Sequence, residues 1–334
     1  MNTANNRPHV VIYATGGTIQ CAKDAMTGKV SPAMTGAQML RAVEGLNDRF
    51  EIEIREPFTM PGSDLSLKEA LVLAQSIRTE QARPDVDGIV VLQGTDTMDE
   101  IPYFIHTTVQ CKKPVVFTGS MKSARDRYSD ALGNVYGAAM VAAHPRSRGR
   151  GVLIYFNETI FAAQELYKMH SSRIDAFHSF YGPLGGTIED SVRYYRESEQ
   201  GRVFEASQVD ADVPIFPCYA GVDKELLEHI LQRDIQALVI EGYGTGNIPR
   251  YLSPAVEGAL DRGLPVVIST RCVDGESFAC YDHPGGGAEL ERMGAILSGS
   301  LNAFKSRIKL IAMLACGLTT EEIREAFLTA EGVL

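Results

Sequence analysis

The chain has 334 residues, of which 45% are hydrophobic and 22% charged; these shares are typical of a globular protein, and the length suggests about two domains. They exclude a disordered chain, a collagen-like fibre and a disulfide-dense miniprotein. Asp and Glu number 42 against 32 Lys and Arg, so the formal net charge is -10. Because this acidic chain has no basic block, we expect no nucleic acid partner.

The amino-terminal part carries a short apolar run, His9–Ala14, that leads directly into a glycine turn. A secretory leader needs a basic start, a longer apolar stretch and a small-residue cleavage site, so this run predicts a first β-strand instead. No window reaches the ~18 apolar residues of a membrane span. We therefore expect a cytoplasmic protein without membrane association. None of the six cysteines forms a C-x-x-C pair, which favours reduced thiols over disulfides or a zinc site.

Short apolar runs alternate with amphipathic stretches in the first half of the chain. The runs are continuous and rich in Val and Ile, which is typical of strands buried on both faces; they are His9–Ala14, Gly88–Gln93, Pro114–Thr118 and Gly151–Phe156. Four helices are predicted, of which the first two begin with capping boxes: Thr35 to about Leu46, Ser66 to about Glu80, Asp99–Gln110 and Asp130–Ala143. This alternation predicts a mostly parallel sheet with helices on both sides.

The middle of the chain breaks the alternation with a glycine- and proline-rich segment, Tyr181–Gly186, and a polar, acidic stretch. Strands then resume at Val213–Pro217, Ala237–Glu241 and Pro265–Ser269, with helices at Asp223–Arg233, Pro254–Arg262, Asn302–Ala315 and Thr320–Ala330. The predicted fold class is therefore α/β. It has a larger N-terminal domain (residues 1–190) with a mostly parallel sheet flanked by helices, a hairpin end and linker (191–212), and a smaller C-terminal α/β domain (213–334).

Three polar turns that contain glycine follow predicted strands of the larger domain. They are Thr15–Ile19 (TGGTI), Gln93–Glu100 (QGTDTMDE) and Thr118–Asp126 (TGSMKSARD). Ligands bind outside the carboxyl ends of the strands in open α/β sheets, so we expect all three turns near one cleft.

Each turn alone also has a structural explanation. Glycine pairs make tight turns, Thr and Asp are favoured helix N-caps, and a serine such as Ser120 fits a polar loop without any ligand. Lys168 adds a possible base, because a lysine that is buried near a carboxylate can be neutralised, although most lysines are solvated.

The pairing of Thr15–Ile19 with Gly94–Met98 resembles the bacterial-type asparaginase/glutaminase family. The resemblance continues through Lys113–Met121, Ser129–Asn134, Tyr181–Gly185, Gly242–Asn247 and Ser298–Asn302. It therefore covers nearly the whole chain, and the absence of a predicted leader favours a cytoplasmic member. It implies hydrolysis of L-asparagine, or of glutamine or a related small amide, to a carboxylic acid and ammonia. It also implies no metal or organic cofactor, and a homodimer or homotetramer.

The resemblance further implies roles for single residues. A first threonine, matched by Thr15, attacks the amide carbon and forms an acyl-enzyme. A second threonine, an aspartate and a lysine, matched by Thr95, Asp96 and Lys168, activate the water or the nucleophile. The implied substrate-binding residues are Gly16, Ser63, Asp64, Gly94, Ser120 and Glu289.

Among these binding residues, Ser63 would hold the substrate α-carboxylate, and Asp96 and Asp64 would face its α-ammonium. The backbone carbonyl of Ser120 would meet the leaving amide. Glu289 would reach the site of a neighbouring subunit, although a solvated surface acid explains it equally well.

One family feature is missing from the sequence. Members usually carry a tyrosine in the loop after the first threonine, whereas no tyrosine lies between Gly16 and Phe50, and the matching place falls near Val30. Another residue such as Tyr281 could supply its contact, or the first threonine could be activated through Thr95 alone.

The missing tyrosine also leaves the substrate open. Three other functions stay in view: an amidase or lactamase acting on a different small amide, the asparaginase-like subunit of a tRNA-dependent amidotransferase, which residues 28–35 resemble, and a non-catalytic ligand-binding homologue.

Overall fold

The computed structural model describes residues 7–23, 27, 30–32 and 34–329. It divides into two compact units, the first ending at Val203 and the second beginning at Phe204. This division falls inside the predicted linker at residues 191–212. Residues 1–6, at the start of the predicted N-terminal domain, lie outside the described residues. So do residues 330–334, which include Ala330 at the end of the last predicted helix. So do residues 24–26, 28, 29 and 33 of the loop in which the family tyrosine was expected.

The described part of the first unit contains twelve strands. They are β1 (His9–Ala14), β2 (Cys21–Lys23), β3 (Val30–Pro32), β4 (Glu51–Arg55), β5 (Gly88–Leu92), β6 (Val115–Thr118), β7 (Val152–Phe156), β8 (Thr159–Ala162), β9 (Leu166–Lys168), β10 (Phe177–Ser179), β11 (Gly185–Ile188) and β12 (Ser191–Tyr194).

Eight of these strands form one sheet in the order β12-β11-β8-β7-β6-β5-β1-β4. At one side of the sheet, the neighbouring strands β4, β1, β5, β6 and β7 pair in parallel. At the other side, β7, β8, β11 and β12 pair antiparallel. Every residue of β5, β6 and β7 is buried, as their continuous apolar runs predict. The prediction of a larger, mostly parallel sheet is confirmed.

Five helices accompany the sheet: α1 (Gly36–Arg41), α2 (Leu46–Arg49), α3 (Leu67–Ala82), α4 (Ile101–Thr108) and α5 (Ala131–Ala143). Thr35 and Ser66 cap α1 and α3 with the predicted capping boxes. The helix predicted from Thr35 to about Leu46 is wrong in its extent. It ends at Arg41, and a separate turn of helix starts after Gly45, whose φ of 74° places it in the left-handed region.

Sequence reasoning missed the edge strand β4. Its sequence, EIEIR, alternates between polar and apolar residues, and its side chains are exposed or half-buried. Because β4 pairs only with β1 at the edge of the sheet, it has the period-2 pattern of a half-buried strand rather than a continuous apolar run.

The second unit is a smaller α/β unit, as predicted. Its strands β13 (Ile215–Pro217), β14 (Leu238–Gly242), β15 (Val266–Thr270) and β16 (Ile296–Leu297) form a parallel sheet in sequence order. Its helices are α6 (Lys224–Leu231), α7 (Ser253–Asp261), α8 (Gly287–Met293), α9 (Ala303–Ala315) and α10 (Thr320–Thr329). The sequence did not reveal α8 and β16, which are short.

Among the described residues, no helix combines the length and apolarity needed to span a bilayer.

Candidate active site

Two glycines after β1 allow the first turn to pack against the neighbouring turns. Gly16 and Gly17 have φ angles of 108° and 87°, a region in which other residues are strained. A Cβ at Gly16 would lie 2.4 Å from the Met60 carbonyl oxygen, and one at Gly17 would lie 2.4 Å from the Gly94 Cα. The chain therefore needs glycine at both positions before it begins the short 3-10 helix Thr18–Gln20.

The turns that follow β4 and β5 pack together in a similar way. A Cβ at Gly94 would lie 2.7 Å from the Gly62 Cα, and the Thr97 hydroxyl donates a hydrogen bond to the Gly62 carbonyl oxygen over 3.0 Å. The Met60 N–H also bonds the Thr15 carbonyl oxygen over 3.1 Å. Three segments that are distant in sequence thus meet at the carboxyl ends of β1, β4 and β5.

Lys168, the last residue of β9, joins two side chains of the third segment. Its Nζ donates hydrogen bonds to Thr95 Oγ1 over 3.0 Å and to Asp96 Oδ1 over 2.9 Å. Thr95 is buried, whereas the side chains of Lys168 and Asp96 are 17% and 61% exposed. The structure therefore brings together the hydroxyl, the amine and the carboxylate that the sequence resemblance assigned to one unit.

A cavity of about 280 Å³ lies over the three segments. Sites for drug-sized ligands span roughly 300–1,000 Å³, so this cavity suits a ligand of about one amino acid. Side chains with polar or ionisable groups line it: Thr18, Gln20, Cys21, Thr59, Thr95 and Asp96. Burial raises the pKa of the Cys21 thiol, which keeps it protonated at neutral pH.

A second cavity, of about 300 Å³, lies beside β8 and β10. Its lining includes Phe156, Phe161 and Phe177 and contains none of the predicted site residues. The first cavity, by contrast, is lined by four of the predicted site residues, Gly16, Gly94, Thr95 and Asp96.

The two threonines that flank the glycine pair differ in their surroundings. Thr15 is 1% exposed, its hydroxyl donates a hydrogen bond to the Leu92 carbonyl oxygen over 2.9 Å, and it does not line the cavity. Thr18 is half-buried and lines the cavity. The geometry therefore does not favour Thr15 as the attacking hydroxyl and places Thr18 where a substrate could be attacked.

Sequence reasoning missed Thr18 and Gln20. The signal for Thr18 was present, since the motif TGGTI has a threonine on each side of the glycine pair. Gln20 carried no such signal, because a single glutamine after a turn is most often an exposed side chain.

Four of the six predicted substrate-binding residues divide into two groups. Gly16 and Gly94 line the cavity, and their backbones are in close packing with neighbouring turns. Ser63 and Asp64 lie on the adjacent 3-10 helix Gly62–Asp64, outside the lining, with both side chains exposed and a 3.3 Å hydrogen bond from the Ser63 hydroxyl to the Asp64 carboxylate.

Ser120 follows β6 and is 1% exposed. Its hydroxyl has no hydrogen-bond partner in the described part of the chain. The turn that carries it packs on the end of β5, because a Cβ at Gly119 would lie 2.3 Å from the Gln93 carbonyl oxygen. Ser120 itself does not line the cavity.

Glu289 and Tyr281 both belong to the second unit. The Glu289 carboxylate accepts hydrogen bonds from the Gly285 N–H over 2.5 Å and from the Ser253 hydroxyl over 3.1 Å. These bonds give Glu289 a local role that joins α7 and α8. Tyr281 is 50% exposed and its ring lies 5.9 Å from that of His283.

The arrangement in the first unit has the parts needed for acyl transfer. A hydroxyl in a cavity can act as a nucleophile when an amine or another base accepts its proton. Here Thr18 lines the same cavity as Thr95, and Thr95 is hydrogen-bonded to Lys168.

Family models match most of the chain. The model described as "Asparaginase, N-terminal" matches residues 9–200, and the one described as "Glutaminase/Asparaginase C-terminal domain" matches residues 212–327.

Individual relatives agree with these models. The chain is 35% identical to the "Probable L-asparaginase" of Deinococcus radiodurans over 328 residues, which cover 96% of this chain and 97% of the relative. It is 31% identical to the "L-asparaginase" of Bacillus licheniformis over 92% of this chain and 95% of the relative. A solved structure, "Crystal Structure of Probable Cytoplasmic L-asparaginase from Campylobacter jejuni", matches with a TM-score of 0.85 at 27% identity, covering 96% of this chain and 99% of that one. The chain belongs to the asparaginase family.

Proposed function

We propose that this protein hydrolyses L-asparagine, or a closely related small amide such as glutamine, to a carboxylic acid and ammonia. The observation that carries the proposal is the hydrogen-bonded cluster of Thr95, Asp96 and Lys168 beside a cavity that Thr18 also lines. Membership of the asparaginase family supports the same reaction.

The first step forms an acyl-enzyme on Thr18. The Thr18 oxygen attacks the side-chain amide carbon of the substrate, a C–O bond forms, and the C–N bond breaks. The hydroxyl proton of Thr18 ends on the departing nitrogen, which leaves as ammonia. Thr95 and Lys168 carry this proton, because Lys168 Nζ lies 3.0 Å from Thr95 Oγ1, Thr95 is buried and the Lys168 side chain is only 17% exposed.

The second step releases the product. A water molecule attacks the ester carbon, the bond to Thr18 breaks, and the threonine regains its proton. Thr95 and Lys168 accept the water's proton in this step. Amide and water are thus converted into acid and ammonia, and the protein ends unchanged.

Asp96 has two roles in this proposal. It holds Lys168 through the 2.9 Å ion pair, and its exposed carboxylate attracts the α-ammonium group of the substrate. Ser63 and Asp64, on the neighbouring 3-10 helix, contribute to binding the α-carboxylate and the α-ammonium. A ligand therefore needs to reach the exposed edge of the cavity to contact them.

Ammonia release from a panel of amides tests the function. We expect equal amounts of aspartate and ammonia from L-asparagine. Ammonia only from an amide that is neither asparagine nor a close relative such as glutamine would favour an amidase or lactamase. Binding of asparagine without any ammonia from the panel would favour a non-catalytic ligand-binding protein, and either result would contradict the proposal.

We also propose that the protein is a homodimer or homotetramer that acts in the cytoplasm. The structurally similar Campylobacter jejuni protein is described as a probable cytoplasmic L-asparaginase, which supports the proposed location in the cytoplasm. Light scattering should give two or four times the mass of one chain, and cell fractionation should recover the protein with cytoplasmic markers. A monomer, or recovery outside the cytoplasm, would contradict the respective part.

A further inference from the structure

A buried glutamine lines the cavity beside the proposed nucleophile. Gln20 is the last residue of the 3-10 helix Thr18–Gln20 and is 2% exposed. Its backbone is fixed on both sides, since its N–H bonds the Gly17 carbonyl oxygen and its carbonyl oxygen accepts from the Met34 N–H, each over 3.1 Å. The side chain therefore starts from a well-defined position at the cavity wall.

The side-chain oxygen of Gln20 is unsatisfied. Within the described residues, Gln20 Oε1 is buried and has no hydrogen-bond partner. Leaving a buried carbonyl oxygen without a donor is destabilising, and an apolar residue of similar length would avoid that cost. A ligand with an N–H group in the cavity would satisfy this oxygen.

An asparagine-like substrate offers two kinds of N–H donor. The α-ammonium carries a full charge and is better matched by a carboxylate, which the exposed Asp96 provides at the same cavity. The side-chain amide nitrogen is neutral and suits a neutral acceptor such as Gln20. It is also one bond away from the carbon that Thr18 attacks, and Thr18 and Gln20 lie on the same turn of 3-10 helix.

We propose that Gln20 binds the scissile amide group, with Oε1 accepting a hydrogen bond from the nitrogen that will leave as ammonia. This inference rests on the proposed function and deepens it, because it makes Gln20 a determinant of amide over ester substrates.

The proposed hydrogen bond from the leaving nitrogen to Gln20 Oε1 strengthens as the reaction proceeds. During acylation the nitrogen starts with two hydrogens, receives the proton of the Thr18 hydroxyl, and leaves as ammonia when the C–N bond breaks. A nitrogen that gains a proton develops positive charge and becomes a better donor. Gln20 therefore favours the transition state over the bound substrate, and its effect falls on acylation, which kcat/KM reports.

The test compares an amide with an ester that yields the same acyl-enzyme. L-aspartate β-methyl ester has no N–H on its leaving group, whereas L-asparagine has two. Gln20→Met keeps the length of the side chain and removes the acceptor. We expect it to lower kcat/KM for asparagine about tenfold, the effect of one neutral hydrogen bond, and to leave kcat/KM for the ester within about twofold.

Two further variants separate binding from folding. Gln20→Glu keeps an acceptor at the same reach and should retain more of the amide preference than Gln20→Met. Gln81→Met is the matched control: Gln81 lies on α3, outside the cavity lining, and its carboxamide bonds the Lys113 backbone over 3.0 and 2.8 Å. This control should lower the melting temperature without changing the amide-to-ester ratio.

Three outcomes would overturn the inference. An equal loss for amide and ester in Gln20→Met would place Gln20 on a group that both substrates share, such as the α-ammonium. A lower melting temperature with an unchanged ratio would make its role structural. Hydrolysis of the ester but of no amide by the wild-type protein would overturn the proposed function as well. Because this result needs only the wild-type protein, it is distinguishable from the two results with Gln20→Met.

Discussion

Lys168 shows how one distant residue completes the site. It lies 72 positions beyond Asp96 in the sequence, yet its Nζ donates hydrogen bonds to two residues of the turn after β5, Thr95 and Asp96. The side chain of Lys168 is 17% exposed, so bulk water competes only partly for its bonds. From its place at the end of β9, Lys168 can exchange a proton with the Thr95 hydroxyl, as the proposed mechanism requires.

Replacing Lys168 tests this role. Lys168→Met keeps much of the side-chain volume and removes the amine, so we expect kcat to fall by about 10²- to 10⁴-fold, the range of general acid–base catalysis. KM for asparagine should change little, because Asp96 remains to bind the ammonium group. Steady-state ammonia release checks both values. A kcat within a few-fold of the wild type would contradict the role of Lys168.

The sequence could predict Thr95, Asp96 and Lys168 as a set, but it could not choose between the two threonines of the first turn. Thr15 and Thr18 have the same chemistry and flank the same glycine pair. Which one reaches the cavity depends on the positive φ angles of Gly16 and Gly17, which redirect the chain after β1. The position of each threonine relative to the cavity is set by the backbone path, which cannot be read from the residue types alone.

At the level of elements, α5 shows how a missing side chain lets a helix approach the sheet closely. A Cβ at Gly137 would lie 2.1 Å from the Tyr155 ring carbon Cζ and 2.2 Å from its hydroxyl oxygen. Tyr155 cannot easily move away, because it is 3% exposed and its hydroxyl shares a 2.6 Å hydrogen bond with Thr187. The absence of a side chain at Gly137 therefore sets the distance between α5 and β7.

Two glycines on α5 provide a matched pair of substitutions. Gly137→Ala should destabilise the protein by about 1–3 kcal/mol through overpacking. Gly133 has no heavy atom within 4 Å of a built Cβ, so Gly133→Ala should stabilise it by roughly 0.5–1 kcal/mol through helix propensity. Urea unfolding of both variants measures the two changes. Equal effects of the two substitutions would contradict the packing argument.

The sequence predicted elements best where one pattern dominated. The continuous apolar runs located β1, β5, β6 and β7 within a residue at each end. Predictions failed where length or tertiary context decides: β4 is a half-buried edge strand, β16 has only two residues, and α1 stops early before a left-handed glycine. Such features depend on neighbours that are distant in sequence.

For the molecule as a whole, the resemblance and the fold support each other. The two motifs that first suggested the family, Thr15–Ile19 and Gly94–Met98, lie on turns of the first unit, and every residue lining the proposed site cavity belongs to that unit. The second unit contains Glu289 and Tyr281, whose predicted contributions to a site stay predictions. The account therefore depends on the first unit and, within it, on the identity of the attacking hydroxyl.

Comparing kcat/KM for asparagine between Thr18→Val and Thr15→Val tests that central claim most directly. The account predicts a loss of at least about a thousandfold for Thr18→Val with an unchanged melting temperature, because the nucleophile is gone. It predicts a lower melting temperature for Thr15→Val, which loses the buried bond to Leu92, and a kcat/KM within about tenfold of the wild type. Full activity in Thr18→Val, with activity abolished in a folded Thr15→Val, would contradict the account.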